Sequence, residues 1–119
     1  MSRARMVQEE IREKEKRFIG LYLEMKNAGL ILLSEEEDQL GTLAVAVPRA
    51  RERIGPPLSS ILLGDRNIMI ARILAERLTK KTGKIALTSV FTKTVDEREA
   101  GPIFLRVFEK IFGREEGEK

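Results

Sequence analysis

Apolar residues along this chain change period several times, and each change marks an element. Between residues 3 and 16, Ala4, Val7 and Ile11 recur at three and four positions amid mixed charges, which predicts a short N-terminal helix over 1–16. Residues 17–25 then alternate. Ile19, Leu21, Leu23 and Met25 share one face and Phe18 and Tyr22 the other, as in a strand. Lys26-Asn27-Ala28-Gly29 is turn chemistry, and Leu30 to Ser34 returns as a second strand of a hairpin. A third strand is predicted over Thr42 to Val47, with Leu43, Val45 and Val47 opposing the small residues Thr42, Ala44 and Ala46. Small side chains on one face let a helix approach closely. Pro48 ends the strand because it cannot donate to a ladder. Leu58 to Leu63 and Ile85 to Thr92 complete a set of five.

Two longer segments follow the helical period. From about Arg66 to Thr82, Ile68, Ala71, Leu74, Ala75 and Leu78 fall on one arc, with Asp65 as the expected N-cap and Gly83 as C′. Met69, Ile70 and Ile73 lie outside that arc, so the first half of this helix is apolar on a second side. The last helix is expected to begin near Pro102. Its residues Ile103, Phe104, Leu105, Val107, Phe108, Ile111 and Phe112 span an apolar arc of roughly 200°. The predicted order is helix, four strands, helix, strand, helix. This is an α+β fold, a mainly antiparallel sheet of about five strands carrying an N-terminal, a middle and a C-terminal helix. Residues 1–119 are read as a single domain, with 114–119 a frayed tail.

Composition narrows the chemistry. The chain has 119 residues and contains neither Cys nor His, which removes thiol nucleophiles, disulfides, Cys/His zinc sites and imidazole-based triads. No apolar run reaches the roughly eighteen residues of a membrane helix, and the N-terminus lacks a signal-like core. A cytoplasmic protein is expected. Richness in Lys, Arg, Glu, Ile and Leu suits a thermophile.

Motifs that resemble ligand sites have simpler readings. Leu63-Gly64-Asp65 leads a strand into a helix, but the glycines and the Lys-Ser/Thr of a phosphate cradle are missing. Thr79-Lys80-Lys81-Thr82-Gly83-Lys84 ends a helix, where cations complement the dipole. Glu35-Glu36-Glu37-Asp38 lacks calcium-loop spacing and reads as a solvated acidic loop. No catalytic residue, metal or cofactor is expected.

What remains is contact. Met69, Ile70 and Ile73 on the middle helix and Phe104 and Phe108 on the last helix are the candidate oligomer interface. Arg49, Arg51 and Arg53 form a basic loop that could face an acidic partner.

With these residues laid out, the chain resembles the small proteasome assembly chaperones, most closely the fourth member of that series, in an archaeal-type version. The carrying residues are Leu43-Ala44-Val45-Ala46, Ser60, Leu62-Leu63-Gly64-Asp65, Leu74-Ala75, Arg77-Leu78, Lys80-Lys81-Thr82 and Lys84, within a stretch from about Leu40 to Phe112. The resemblance implies a non-enzymatic α+β domain that self-associates as a homodimer or homotetramer, or pairs with a sister chaperone. It also implies transient binding of proteasome α-subunits during ring assembly. Two departures stand out. The strand that precedes the first helix in that family is missing from the predicted order. The C-terminal Gly117-Glu118-Lys119 also lacks the hydrophobic–tyrosine–any tail of other proteasome-binding chaperones. The alternatives are a small basic nucleic-acid-associated protein or a scaffold subunit of another complex. Arg49, Arg51 and Arg53 with a basic pI support the first of these, while five Phe and one Tyr leave little for base stacking.

Overall fold

The computed structural model describes residues 3–49 and 58–116. Within them the order is β1 (Arg5–Glu13), β2 (Lys16–Glu24), β3 (Ala28–Glu35), β4 (Thr42–Val47), β5 (Leu58–Leu63), α1 (Ile68–Thr82), β6 (Ile85–Phe91) and α2 (Glu97–Glu116). These strands form one sheet in the order β1-β2-β3-β6-β4-β5. Its pairings are antiparallel except β3 with β6, which run parallel. The α+β class therefore stands, with six strands and two helices instead of five and three.

The predicted N-terminal helix is a strand. Val7 and Ile11 are four residues apart, a spacing that returns to the same face in a helix and in a strand alike. Residues between them settle the choice. Val7, Glu9, Ile11 and Glu13 are partly covered, whereas Gln8, Glu10 and Arg12 are exposed, an alternation of period two. β1 pairs with β2 along its whole length, from Arg5 opposite Glu24 to Glu13 opposite Lys16. The sheet therefore has a strand where the pattern predicts a helix. Loss of the helix also explains how α2 is covered, because β1 widens the sheet beneath it. Arg106 of α2 reaches Glu13 at 2.7 Å, and Lys110 donates to the Glu10 carbonyl at 2.9 Å.

Both helices pack on one face of the sheet. Ala44 and Ala46 of β4 and Ala86 of β6 are fully buried beneath α1, as the small-residue face of the third predicted strand required. Phe18 and Tyr22 of β2 meet α2, with Phe18 edge-on to Phe104 at 5.6 Å and Tyr22 against Phe112 at 4.9 Å. Gly20 sits between them, and a Cβ there would come within 2.6 Å of Val107 Cγ1. The two helices touch where Ile70 of α1 lies over Gly101 of α2.

The helix starts differ from expectation. Asp65 is exposed and does not cap α1; Asn67 occupies the cap position in a left-handed conformation and makes no capping bond with its side chain. Asn67 is instead buried, its Nδ2 donating to Thr92 Oγ1 at 3.0 Å. The carboxylate that meets the orphan amides of α1 comes from far along the chain. Glu97 Oε2 accepts from the Ile70 N–H at 2.8 Å. Replacing Glu97 by Ala is expected to cost about 1 kcal/mol, the usual value of a lost cap, and urea denaturation measures it. Helix α2 begins at Glu97, about one and a half turns before Pro102. Asp96 caps it, its Oδ1 accepting from the Glu99 N–H at 2.9 Å. Asp96 and Glu99 have the spacing of a capping box, a signal that Pro102 obscured. α2 also runs through Glu116, so the tail predicted from Arg114 is helical for its first residues; 117–119 lie outside the described residues. Gly83 does end α1, left-handed at φ 73°, with its N–H on the Thr79 carbonyl at 2.8 Å.

Candidate interaction surfaces

Register divides the side chains of the sheet between two faces. Gly20, Tyr22, Ile31, Leu33, Thr88 and Val90 point to the helices and are buried. The alternate set points away: Ile19, Leu21 and Leu23 on β2, Leu30 and Leu32 on β3, Leu87 on β6, and Leu43 and Val45 on β4. These residues are only half-buried and stand apart from the core cluster under the helices. No described helix or strand covers them; the connection between β3 and β4 reaches over one end of the face, where Gln39 and Gly41 bond the buried Ser34 and Ser89. Around them Met6, Val47, Leu58 and Leu62 are exposed, the last two by 58% and 55%.

The register joins these positions into one patch. Leu23 lies opposite Leu30, which is level with Leu87, which lies opposite Val45. Leu21 and Leu32 form a second row beside them. Five strands at about 4.8 Å spacing and about 20 Å length give a flat area on the order of 400 Å². That is the size of a typical monomer's largest apolar patch, about 300–600 Å², and such a patch is often functional. Charge is confined to the rim, chiefly Glu10, Arg12 and Arg17 toward the β1 edge, where Arg17 stands 3.7 Å from Glu10. The arrangement offers a broad, rigid apolar face with no nucleophile or acid/base pair set into it. It can bind another surface by burial.

The interface residues read from the sequence separate into two groups. Ile70 is 8% exposed and faces α2, because α1 turns that side inward at Gly101. Phe104 and Phe108 are buried against the sheet and α1, so the wide apolar arc of α2 is satisfied inside the chain. Those three belong to the core. Met69 and Ile73 remain outside, 66% and 49% exposed, as a small secondary patch with Ile68. Of the basic loop, Arg49 is partly exposed, while Arg51 and Arg53 lie outside the described residues.

A second correction concerns the acidic run. Glu37 and Asp38 are exposed, but Glu35 closes β3 and is 1% exposed. Its Oε1 accepts from the N–H of Lys93 at 2.7 Å, of Thr94 at 2.9 Å and of Val95 at 3.4 Å, and the Thr94 hydroxyl donates to Oε2. Burial pushes this carboxyl up, and the bonds from Thr94, Lys93 and Val95 outweigh it, leaving it below the usual glutamate range. Glu35 therefore clasps the turn between β6 and α2. It is a structural group with no open side for a ligand. Among the described residues no group of three or more acidic side chains could hold a metal ion. None of the described helices is long and apolar enough to cross a membrane.

Comparison with known proteins agrees with this geometry at the level of fold. No family model matches the chain, and no curated protein matches it in sequence. Among solved structures it is similar to a chain of a yeast chaperone complex for 20S proteasome assembly. The TM-score is 0.69, with 97% of each chain covered and 14% of residues identical. At that identity the likeness is one of architecture, and in architecture it spans nearly the whole length of both chains.

Proposed function

We propose that this chain is a non-catalytic contact protein of the proteasome-assembly-chaperone kind, pairing through its open sheet face with a second copy of itself or a chain of the same fold. The observation that carries this reading is the uncovered aliphatic face of β2, β3, β6 and β4. Two such faces stacked about 10 Å apart make a sandwich with helices outside and two sheets within, which satisfies the layer rule that one copy leaves unmet. A second copy is the simplest occupant, since a twofold axis brings the same patch to itself. The likeness to a chain of a proteasome-assembly complex supports the rest of the reading. The client is a proteasome α-subunit, captured transiently so that wrong neighbours are excluded until the correct one displaces the chaperone.

With the sheet face occupied, client contact falls to the outward surfaces. Met69 and Ile73 on α1, and the basic residues Arg49, Arg51 and Arg53, are the proposed places. Mixing the purified chain with α-subunits from the same source tests this. Size-exclusion chromatography coupled to light scattering is expected to give a complex of defined mass, weakened by Met69→Glu with Ile73→Glu. Co-elution of nothing but the separate proteins, with α-subunits and with their rings, would remove the client assignment and leave self-association to be judged alone.

A further inference from the structure

Positive charge is concentrated at one end of the molecule. Strand pairing places the start of β1, the end of β2 and the starts of β3 and β6 together, through Arg5 opposite Glu24, Glu24 opposite Gly29 and Ala28 level with Ile85. Both helices finish at the same end. α1 stops at Thr82, just before β6, and Phe112 near the close of α2 packs on Tyr22. Two concavities open there. One, of about 700 Å³, is walled by Arg3, Arg5, Lys26 and Lys84 around Glu24. The other, of about 350 Å³, lies between the last turns of α1 and α2, with Arg77, Lys80 and Lys81 above a floor of Phe108 and Phe112.

Together these walls hold seven cations against two carboxylates, Glu24 and Glu109. Glu24 is already engaged by Arg5 and Lys84, at 2.5 and 3.5 Å. Arg3, Lys26, Arg77 and Lys80 have no carboxylate partner among the described residues. The opposite end carries carboxylates beside its cations, with Lys93 3.9 Å from Glu37 and Arg106 2.7 Å from Glu13. Within the two concavities, cations therefore outnumber carboxylates.

The geometry points to this basic end as a docking surface for an acidic peptide segment of a partner protein, with an apolar side chain seated in the groove between α1 and α2. Carboxylates of the segment meet Arg77 and Lys80 on the rim. The groove is lined on one side by aromatic carbon and is large enough for a side chain rather than a helix. A nucleic acid fits less well. Glu24 and Glu109 interrupt any phosphate track along this end.

Fluorescence anisotropy with a short labelled peptide alternating Glu and Leu tests the assignment on the intact chain. Binding is expected at low salt and should weaken on the order of tenfold in Arg77→Glu with Lys80→Glu, as for loss of steering and rim charge. Arg98→Glu, at the far end of α2, should leave it unchanged. If the Arg77/Lys80 pair fails to fold by circular dichroism, Arg3→Glu with Lys26→Glu is the replacement and should also weaken binding. Peptide binding that is absent at low salt, or indifferent to both charge reversals, overturns the proposal. So does displacement of the peptide by a random oligonucleotide that binds more tightly. Sedimentation reads the open sheet face separately, so failure here leaves the self-association claim standing.

Discussion

Glu35→Gln is expected to lower the unfolding free energy by about 3 kcal/mol. The native carboxylate sits at 1% exposure with three backbone N–H groups and a hydroxyl directed at it. Hydrogen bonds to a buried charge are worth roughly 1.5–3 kcal/mol each, and buried donors left without an acceptor add their desolvation cost. Glutamine keeps the shape and an oxygen for the three N–H groups, but it removes the charge that strengthens those bonds and sets an amide donor where the Thr94 hydroxyl had donated. Loss of the clasp should extend to the turn before Asp96 and Glu97, the residues that cap α2 and α1.

The same carboxylate fixes a pH dependence. Its folded pKa is lowered, so the unfolded chain takes up the proton more readily as pH falls. The stabilisation is complete above the ordinary glutamate value of about 4.3 and is lost as pH drops through the folded value. Glu24 adds in the same direction, lowered chiefly by its hydrogen bond from Arg5, at a more exposed site where the effect is small. Urea titrations of wild type and Glu35→Gln at pH 7 and at about pH 3 should converge toward low pH. A loss under about 1 kcal/mol at pH 7 would show that Glu35 does not hold the turn.

The second large effect is on association. Leu32→Glu places a charge at the centre of the open face, between Leu21 and Ser89 in the register. In a free monomer that position is half-exposed, so folding should change by little more than the loss of one partly packed aliphatic side chain. In a sheet-on-sheet dimer the twofold axis brings two such carboxylates into a dry interface, where unpaired charge is costly. Dissociation is expected to strengthen by at least about a hundredfold, equivalent to about 2.7 kcal/mol. Met69→Glu, outside the face, should leave self-association intact.

Much of the fold could be read from local pattern. The ranges Thr42–Val47 and Leu58–Leu63 match the bounds of β4 and β5, and Ala44 and Ala46 signal the approach of a helix. Gly64 is left-handed at φ 96° and lies against Thr42, as a tight turn demands. Errors came where one spacing serves two structures or where the partner is distant. Val7 and Ile11 satisfy both periods. Glu35 and Glu97 find their partners about 60 and 27 residues away, and no local pattern encodes that. Phe108 is covered because β1 is a strand that widens the sheet beneath α2, and Ile70 because α2 crosses α1 at Gly101. The open face was legible in part. Leu30, Ile31, Leu32 and Leu33 are apolar on both sides of β3, a pattern of strands covered twice. Two helices on one face leave the other without a described helix or strand over it.

Sedimentation velocity over a concentration series, on wild type beside Leu32→Glu, tests that claim most directly. The account predicts a wild-type dimer at micromolar concentration and a folded monomer for Leu32→Glu, with native circular dichroism. A wild type that stays monomeric, or a Leu32→Glu protein that stays dimeric, would contradict it.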